Sequence, residues 1–591
     1  MIFVLVLLGL AVALFVTERI RTDLVALSIL ALLAATGIVG AEEALAGFSN
    51  PATVTVAAMF VLSASLGHTR ALDRAAGLLA QLAERNLMLA LVALMVVVGS
   101  ISAFINNTAA VAVFLPIALA MARHAAVSPS KLLIPLSFAG IFGGTCTLIG
   151  TSTNVLASSI SETRGAGPIG MFEPAPLGLV LFAAGAVWIA TMGHRLLPAR
   201  RAAGDLASSF QMADYIVEVK LPEGSESVGV PLGESPLLRD MDIDVLELFR
   251  AGKRRSLPRG ETELRAGDVL RLRCDAETVR QLNRAEGSDD IRLLPHLRDE
   301  DLETDDAVLA EAVVAPHSSL IGRSVADAGI LDTYGAALLA LRHRGSIQHA
   351  RLAGTRLRAG DLVLLELPRR KLRRMQRDRR ELLLVSTRDV EPRRRRTWPA
   401  LLVIAAVVAV AAVDVLPIAT AAVIGCVAVV LLGCVSLDEA YEAIDWQIVF
   451  LLAGLLSLGA AMEETGAAQR LASLIVEWVG PLGPRALVSA FFLLTAALTS
   501  VMSNNATAVL LAPIALSTAD SLGLESRPFL MAVAFGASAC FLTPVGYQTN
   551  MLVHGPGQYR AGDFLRVGGP LVLIYWLLAS LLIPWFWPLA G

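Results

Sequence analysis

Charge is scarce in this chain: Asp, Glu, Lys and Arg make up 17% of its 591 residues, against about 25% in a soluble globular domain. Apolar residues make up 55%, and the mean hydropathy is +0.64, so lipid solvates much of the chain. The formal net charge of -3 leaves no electrostatic footprint for nucleic acid. The five cysteines, Cys146, Cys274, Cys426, Cys434 and Cys540, form no CxxC pair and no metal spacing; they read as small buried apolar residues. HExxH and GxSxG are missing, so hydrolysis has no support and no enzyme or organic cofactor is indicated. The first apolar segment, MIFVLVLLGLAVALFV, lacks a basic flank and an AxA-like site. A second apolar span follows at once, so the segment reads as a transmembrane helix rather than a signal peptide.

The charge that is present collects in the middle. Residues 1–198 and 398–591 are apolar spans with short polar breaks, and the residues between them are polar. The expected plan is a membrane half, a soluble insert and a second membrane half. Basic clusters flank the insert, HRLLPARR before it and EPRRRR after it, which places it in the cytoplasm by the positive-inside rule. Within it LRAGD occurs at 264–268 and again at 357–361. Each copy precedes a strand-like run, and two small α+β domains are expected at 205–288 and 303–380. In each turn Gly takes the bend and Asp bonds locally.

The membrane halves resemble each other. INNTAAVAVFLPIAL (105–119) aligns without gaps on MSNNATAVLLAPIAL (502–516), and CTLIGTSTN (146–154) on LTPVGYQTN (542–550). The loop after the first span carries Arg19 and Arg21, whereas its counterpart AVDVLP carries Asp414 and no base. The same element then points opposite ways in the two halves, an inverted repeat of the kind secondary transporters use. Both chain ends are expected outside, with Trp585 and Trp587 in the interfacial belt. The fold class is therefore a polytopic α-helical membrane protein of the cell inner membrane. It is read as an inverted-repeat transporter with re-entrant hairpins and broken helices plus the cytoplasmic insert.

Adjacent asparagines inside apolar runs cost several kcal/mol against lipid unless something binds them. Residues 102–108 and 499–505 read as hairpin tips, with Pro116 and Pro513 favouring a break or kink in each returning arm. Gly150 and Gly546 fall where a second helix unwinds. Side-chain and carbonyl oxygens suit Na+, a hard cation; amide and hydroxyl donors with half-helix N-termini suit an anion. Neither motif holds Lys or Arg. A dianion there depends on bound cations for charge compensation, which is a physical basis for coupling.

The paired asparagine motifs, followed by GTSTN and GYQTN, resemble the divalent anion/sodium symporter family (SLC13-like permeases) with its paired Ser-Asn-Thr motifs. GFSNPATVTVAAMFVLS (47–63) and DWQIVFLLAGLLSLGAAMEETG (445–466) are also similar to that family. The insert resembles paired TrkA-C (RCK C-terminal) domains, an arrangement found in a sub-branch often regarded as sulfate transporters. The resemblance implies one sodium site per half: Ser102, Asn106, Asn107 and the Gly150 carbonyl, and Thr499, Ser503, Asn504 and the Gly546 carbonyl. Substrate would sit between the tips against Asn106, Asn107, Thr108, Thr151, Ser503, Asn504 and Asn505. It further implies elevator-type movement. The expected partners are Na+, a small divalent anion, the lipid bilayer, a second copy of the chain and an unknown ligand of the insert.

The chain departs from the family at Asn106, where the motif has Ser, and at Asn505, where it has Thr. Thr151-Ser-Thr-Asn and Tyr547-Gln-Thr-Asn replace Thr-Pro-Pro-Asn. The bulk of Tyr547 favours a small tetrahedral dianion, sulfate, over a long dicarboxylate. The alternatives are a dicarboxylate symporter, a K+ channel or transporter gated by the insert, and a sensor that binds without flux. Pro544–Gln548 contains VGY but lacks the TVGYG of a potassium filter. Gly165–Gly170 matches GxGxxG with no strand before it. Glu463 and Glu464, near a helix end, read as structural rather than as a proton relay.

Overall fold

Long runs of Ala, Val, Leu and Ile leave no helix face for water, so each backbone polar group must be satisfied within its own segment. The computed structural model describes the chain except residues 18–19, 67–77, 80, 126, 200–215, 236–242, 251–252, 257–260, 275–291, 295–306, 316–317, 344–345, 349–351, 369–370, 372–374, 376–380, 387–396, 414 and 591. Arg19, Asp414 and Arg393–Arg396, on which the expected orientation rests, lie outside the described residues. Two compact units result, one of Met1–Arg200 with Glu391–Gly591 and one of Arg201–Val390.

The first unit is helical and turned inside out. Leu431 is 80% exposed and Leu581 73%, while Ser102, Thr499 and Thr507 are fully buried. Lipid favours such an arrangement, because it solvates the apolar exterior and polar side chains then pair inside. Among the described residues, helices Ala41–Ser65, Ala175–Leu196, Trp446–Glu464 and Ala561–Phe586 are long and apolar enough to cross a membrane. Helix Leu87–Ser102 packs on Leu133–Gly144, and Pro484–Leu498 packs on Arg527–Ser538. Glycines allow that contact: a Cβ on Gly143 would fall 2.0 Å from the Gly99 carbonyl oxygen, and one on Gly536 2.9 Å from that of Phe492. Cys146, Cys434 and Cys540 are buried.

Each packed pair carries a helical hairpin. Leu87–Ser102 turns through residues 103–106 into Asn107–His124, and Pro484–Leu498 turns through 499–503 into Asn504–Leu522. No break occurs at Pro116 or Pro513; each lies inside its helix. A buried helix tolerates proline where its neighbours accommodate the freed carbonyl. Helix Leu133–Gly144 gives way to an irregular link before Ser152–Thr163, as Arg527–Ser538 does before Gln548–His554. Matching bonds pin both links. The Thr147 hydroxyl donates to the Ala103 carbonyl, and that of Thr543 to Ser500 at 2.7 Å. The Gly150 and Gly546 amides each donate back to that threonine at 3.1 Å. Asn154 and Asn550 then hold the carbonyls of Thr147 and Thr543 at 2.9 and 3.1 Å.

The second unit contains two antiparallel sheets. The first is built from β1 (Ile216–Lys220), β2 (Ile243–Arg250), β3 (Lys253–Ser256), β4 (Val269–Cys274) and β5 (Arg292–Leu294), in the order β3-β2-β4-β1-β5. The second uses β6 (Ala307–Val314), β7 (Ala337–His343), β8 (Ser346–Gln348), β9 (Leu362–Pro368) and β10 (Leu382–Ser386). Its order, β8-β7-β9-β6-β10, repeats the first strand for strand. The LRAGD copies are the turns that feed the central strands β4 and β9. Gly267 and Gly360 stand at φ +82° and +79°, where a side chain is strained. Asp268 and Asp361 accept the amide three residues back, at 2.8 and 2.9 Å. Arg250 adds a fork onto Asp268 at 2.8 and 2.6 Å. Asp268→Ala should destabilise this domain by about 1–3 kcal/mol, the cost of orphaning buried partners. Limited proteolysis of the full-length protein should then cut the insert faster than in wild type.

Candidate ion and substrate site

The two hairpin tips begin with a capping residue. Asn106 accepts the Thr108 amide at 2.9 Å, and Ser503 accepts the Ala506 amide at 3.3 Å. Both are residue types that cap helix N-termini well, so the Ser-to-Asn difference between the halves is conservative for that task. The Asn106 backbone amide in turn donates to Ser63 Oγ at 3.2 Å. The hydrogen-bond partner of Ser102 is Asn107 rather than Asn106.

Asn107 is different. It is buried, and its amide meets Ser102 Oγ at 2.6 Å on one side and the Tyr547 hydroxyl at 2.8 Å on the other. The end facing Ser102 also lies 3.0 Å from the Gly150 carbonyl oxygen and 3.2 Å from that of Gly140. Two orientations of the amide are chemically distinct. Nitrogen inward, it donates to those oxygens and accepts from Tyr547. Oxygen inward, it accepts from the Ser102 hydroxyl and faces the Gly150 and Gly140 carbonyl oxygens, which repel it unless a cation sits among them. Ser102, Asn107 and Gly150 are thus brought together as a set that fits Na+. Gly144 makes the room: a Cβ there would fall 2.3–2.8 Å from the Asn107 amide atoms.

The second tip is looser. Thr499 donates to the Ala537 carbonyl at 2.9 Å, and Gly546 packs on Thr499, a Cβ there falling 2.7 Å from its carbonyl oxygen. Asn504 is 6% exposed and makes no side-chain hydrogen bond among the described residues.

One bond at equivalent positions ties each tip to the helix start that follows the link of the other half. Thr108 Oγ1 donates to Gln548 Oε1 at 2.8 Å, and Ser152 Oγ donates to Asn505 Oδ1 at 2.7 Å. Thr108 and Asn505 occupy equivalent positions, as do Ser152 and Gln548. Thr151 is buried, its Oγ1 2.7 Å from that of Thr153. Sequence reasoning singled out Thr108, Thr151 and Asn505 but missed Ser152, Gln548, Gly140 and Gly144. The aligned GTSTN and GYQTN segments carried a signal for Ser152 and Gln548. Arg164, at the far end of helix Ser152–Thr163, is engaged with Glu463 at 3.1 Å and Ser517 at 3.0 Å, which gives Glu463 a structural task.

A family model described as citrate transporter (CitMHS) matches residues 12–527, and again 458–588. The chain belongs to the citrate transporter family. That membership places it among membrane-embedded transporters. An uncharacterized transporter, sll0640, of Synechocystis is 39% identical over 97% of this chain and 95% of its own. The uncharacterized transporter YfbS of Escherichia coli is 30% identical over 100% and 99%. Sodium/sulfate cotransporter 1 of Chlamydomonas reinhardtii is 22% identical over 92% and 85%. In this citrate transporter family member, Gly144→Ala should displace the Asn107 amide from Gly150 and cost about 1–3 kcal/mol by overpacking. Thermal denaturation in sodium and in choline should show any sodium-specific protection lost with it.

Proposed function

We propose that this protein is a sodium-coupled symporter of small divalent anions, with sulfate the first candidate and dicarboxylates the second. The observation that carries the reading is the cluster of Ser102, Asn107 and the Gly150 carbonyl, which with the Asn107 oxygen turned inward becomes an oxygen set suited to a cation. Na+ binds there, and a second Na+ binds by Thr499, Ser503, Asn504 and Gly546. The anion lies between the tips, held by Asn107, Thr108, Thr151, Ser503, Asn504 and Asn505, with Asn106 and Ser503 orienting the helix N-termini toward it. The sodium/sulfate name of a distant relative supports the choice of ions.

Electrostatics makes the coupling obligatory. At an effective dielectric of about 20, one monovalent cation about 5 Å from a dianion contributes roughly 7 kcal/mol of attraction. Desolvating each charge costs several kcal/mol, and neither tip carries a basic residue. Cations and anion therefore cross together. The halves form an inverted repeat around the site, and transport proceeds by elevator-type alternating access. The insert is assigned to the cytoplasm and both termini to the outside. Its paired TrkA-C-like domains serve dimer contact or ligand-responsive regulation.

Reconstituted protein should accumulate labelled sulfate only under an inward sodium gradient, with succinate and citrate as the comparison substrates. Equal uptake in choline would contradict the coupling. Asn504→Ala should lower uptake roughly 10- to 100-fold, which corresponds to about 1.5–3 kcal/mol for a hydrogen bond to a charged group.

A further inference from the structure

The helices of the first unit sort into two groups by what they pack on. Pro51–Leu66 and Trp446–Glu464 pack among Thr22–Ala35, Ala41–Ser49 and Ile418–Leu431, forming a frame. The hairpins and links pack on one another and on Ala175–Trp188 and Ala561–Phe586, forming a body that carries both tips. Frame meets body where Pro51–Leu66 lies on Ser152–Thr163 and where Trp446–Glu464 lies on Asn504–Leu522.

The second of these contacts is apolar at one level and charged at the next. Gly459 of the frame faces Pro513 of the body, a Cβ there falling 3.8 Å from the proline ring. A glycine against a ring offers no interlocking side chain, so packed helices can shear at that level. About one turn further along each helix stand Glu463 and Ser517, with Arg164 between them. Arg164 Nε is 3.1 Å from Glu463 Oε2, and Nη1 donates to Ser517 Oγ at 3.0 Å. Arg164 and Ser517 both belong to the body, so the contact with Glu463 is the one that crosses to the frame. The Arg164 side chain is 8% exposed and that of Glu463 50%. Nη2 is buried without a hydrogen-bond partner among the described residues. Arginine and carboxylate commonly meet in a parallel two-bond fork. This arginine is instead gripped by its own body and reaches the frame through a half-exposed carboxylate, which water solvates once the pair opens.

We propose that Arg164 and Glu463 form a latch between body and frame, closed in the arrangement described and opened whenever the body moves to carry the site across the membrane. The proposal rests on the elevator-type movement given above and names a contact that regulates it. An interaction made in one of two states biases their equilibrium by the free energy it supplies to that state. Removing the latch therefore raises the parted fraction while leaving the ion and substrate groups in place. Arg164 and Glu463 act as positioning residues, since neither touches the site.

The test labels a cysteine at the other frame–body contact. Ser159 of the body is buried and donates to Asn50 of the frame at 2.8 Å. In Ser159→Cys a water-soluble maleimide reacts at that position only while frame and body part, and peptide mass spectrometry of the purified full-length protein reads the rate. In that background Glu463→Gln and Arg164→Gln should each raise the rate about fivefold, the scale of one partly exposed ion pair. The swap of Arg164→Glu with Glu463→Arg should return the rate toward that of the parent. Ser517→Ala, which removes a bond within the body, should leave it unchanged. Unchanged rates in both single variants, a swap as fast as either of them, or an equal rise in Ser517→Ala overturns the latch and leaves the movement standing. A Ser159→Cys parent that never labels, in sodium or in choline, overturns the movement as well.

Discussion

A primary amide buried among carbonyl oxygens has to choose which end to present, and the candidate site depends on that choice at Asn107. Nitrogen inward, the amide satisfies the Gly140 and Gly150 carbonyls by itself. Oxygen inward, it needs a cation. The difference between these states is a rotation about one bond with almost no change in shape. The surrounding packing, in which Gly140, Gly143 and Gly144 bring a helix against the tip, serves both. Asn504 at the equivalent place has no such internal partner. The two halves therefore hold the same side chain under different constraints, one satisfied from within and one with no side-chain hydrogen bond among the described residues.

The fold supplies what the amides cannot, namely position. Two hairpins and two irregular links meet because each tip bonds to the opposite link, Thr108 to Gln548 and Asn505 to Ser152. These bonds join residues far apart in sequence, so each half helps to hold the tip of the other in place. The hydroxyls and amides of the tips lie inside, while leucines such as Leu431 and Leu581 face outward. The insert follows other physics. Its two sheets repeat a single strand order, with a Gly-Asp turn entering each central strand.

Much of this was legible in the sequence because it repeats. The alignment of 105–119 on 502–516 picked out Asn107 and Asn504, and the aligned Gly-x-x-x-Asn segments picked out Gly150 and Gly546. The family resemblance gave Asn106 as a sodium ligand and substrate contact, and the structure shows it capping its own helix. A capping oxygen and a ligating oxygen are the same residue type, and only the bond to the Thr108 amide separates them. Pro116 and Pro513 suggested breaks where the helices run on, because packing in a buried helix outweighs the missing hydrogen bond. Tyr547 read as bulk in a substrate pocket, and its reach to Asn107 needed coordinates. Gly144 carried no local signal, since it matters only through the space it leaves beside an amide distant in sequence.

The claim at the centre is that Ser102, Asn107 and the Gly150 carbonyl surround a cation. Its most direct test is a pair of high-resolution density maps of the full-length protein, one in sodium and one in choline. The account predicts a sodium-dependent density among those oxygens, with the Asn107 oxygen turned toward it and the nitrogen toward Tyr547. Maps that match each other, with no such density and with the Asn107 nitrogen facing the Gly150 carbonyl in both, would contradict it.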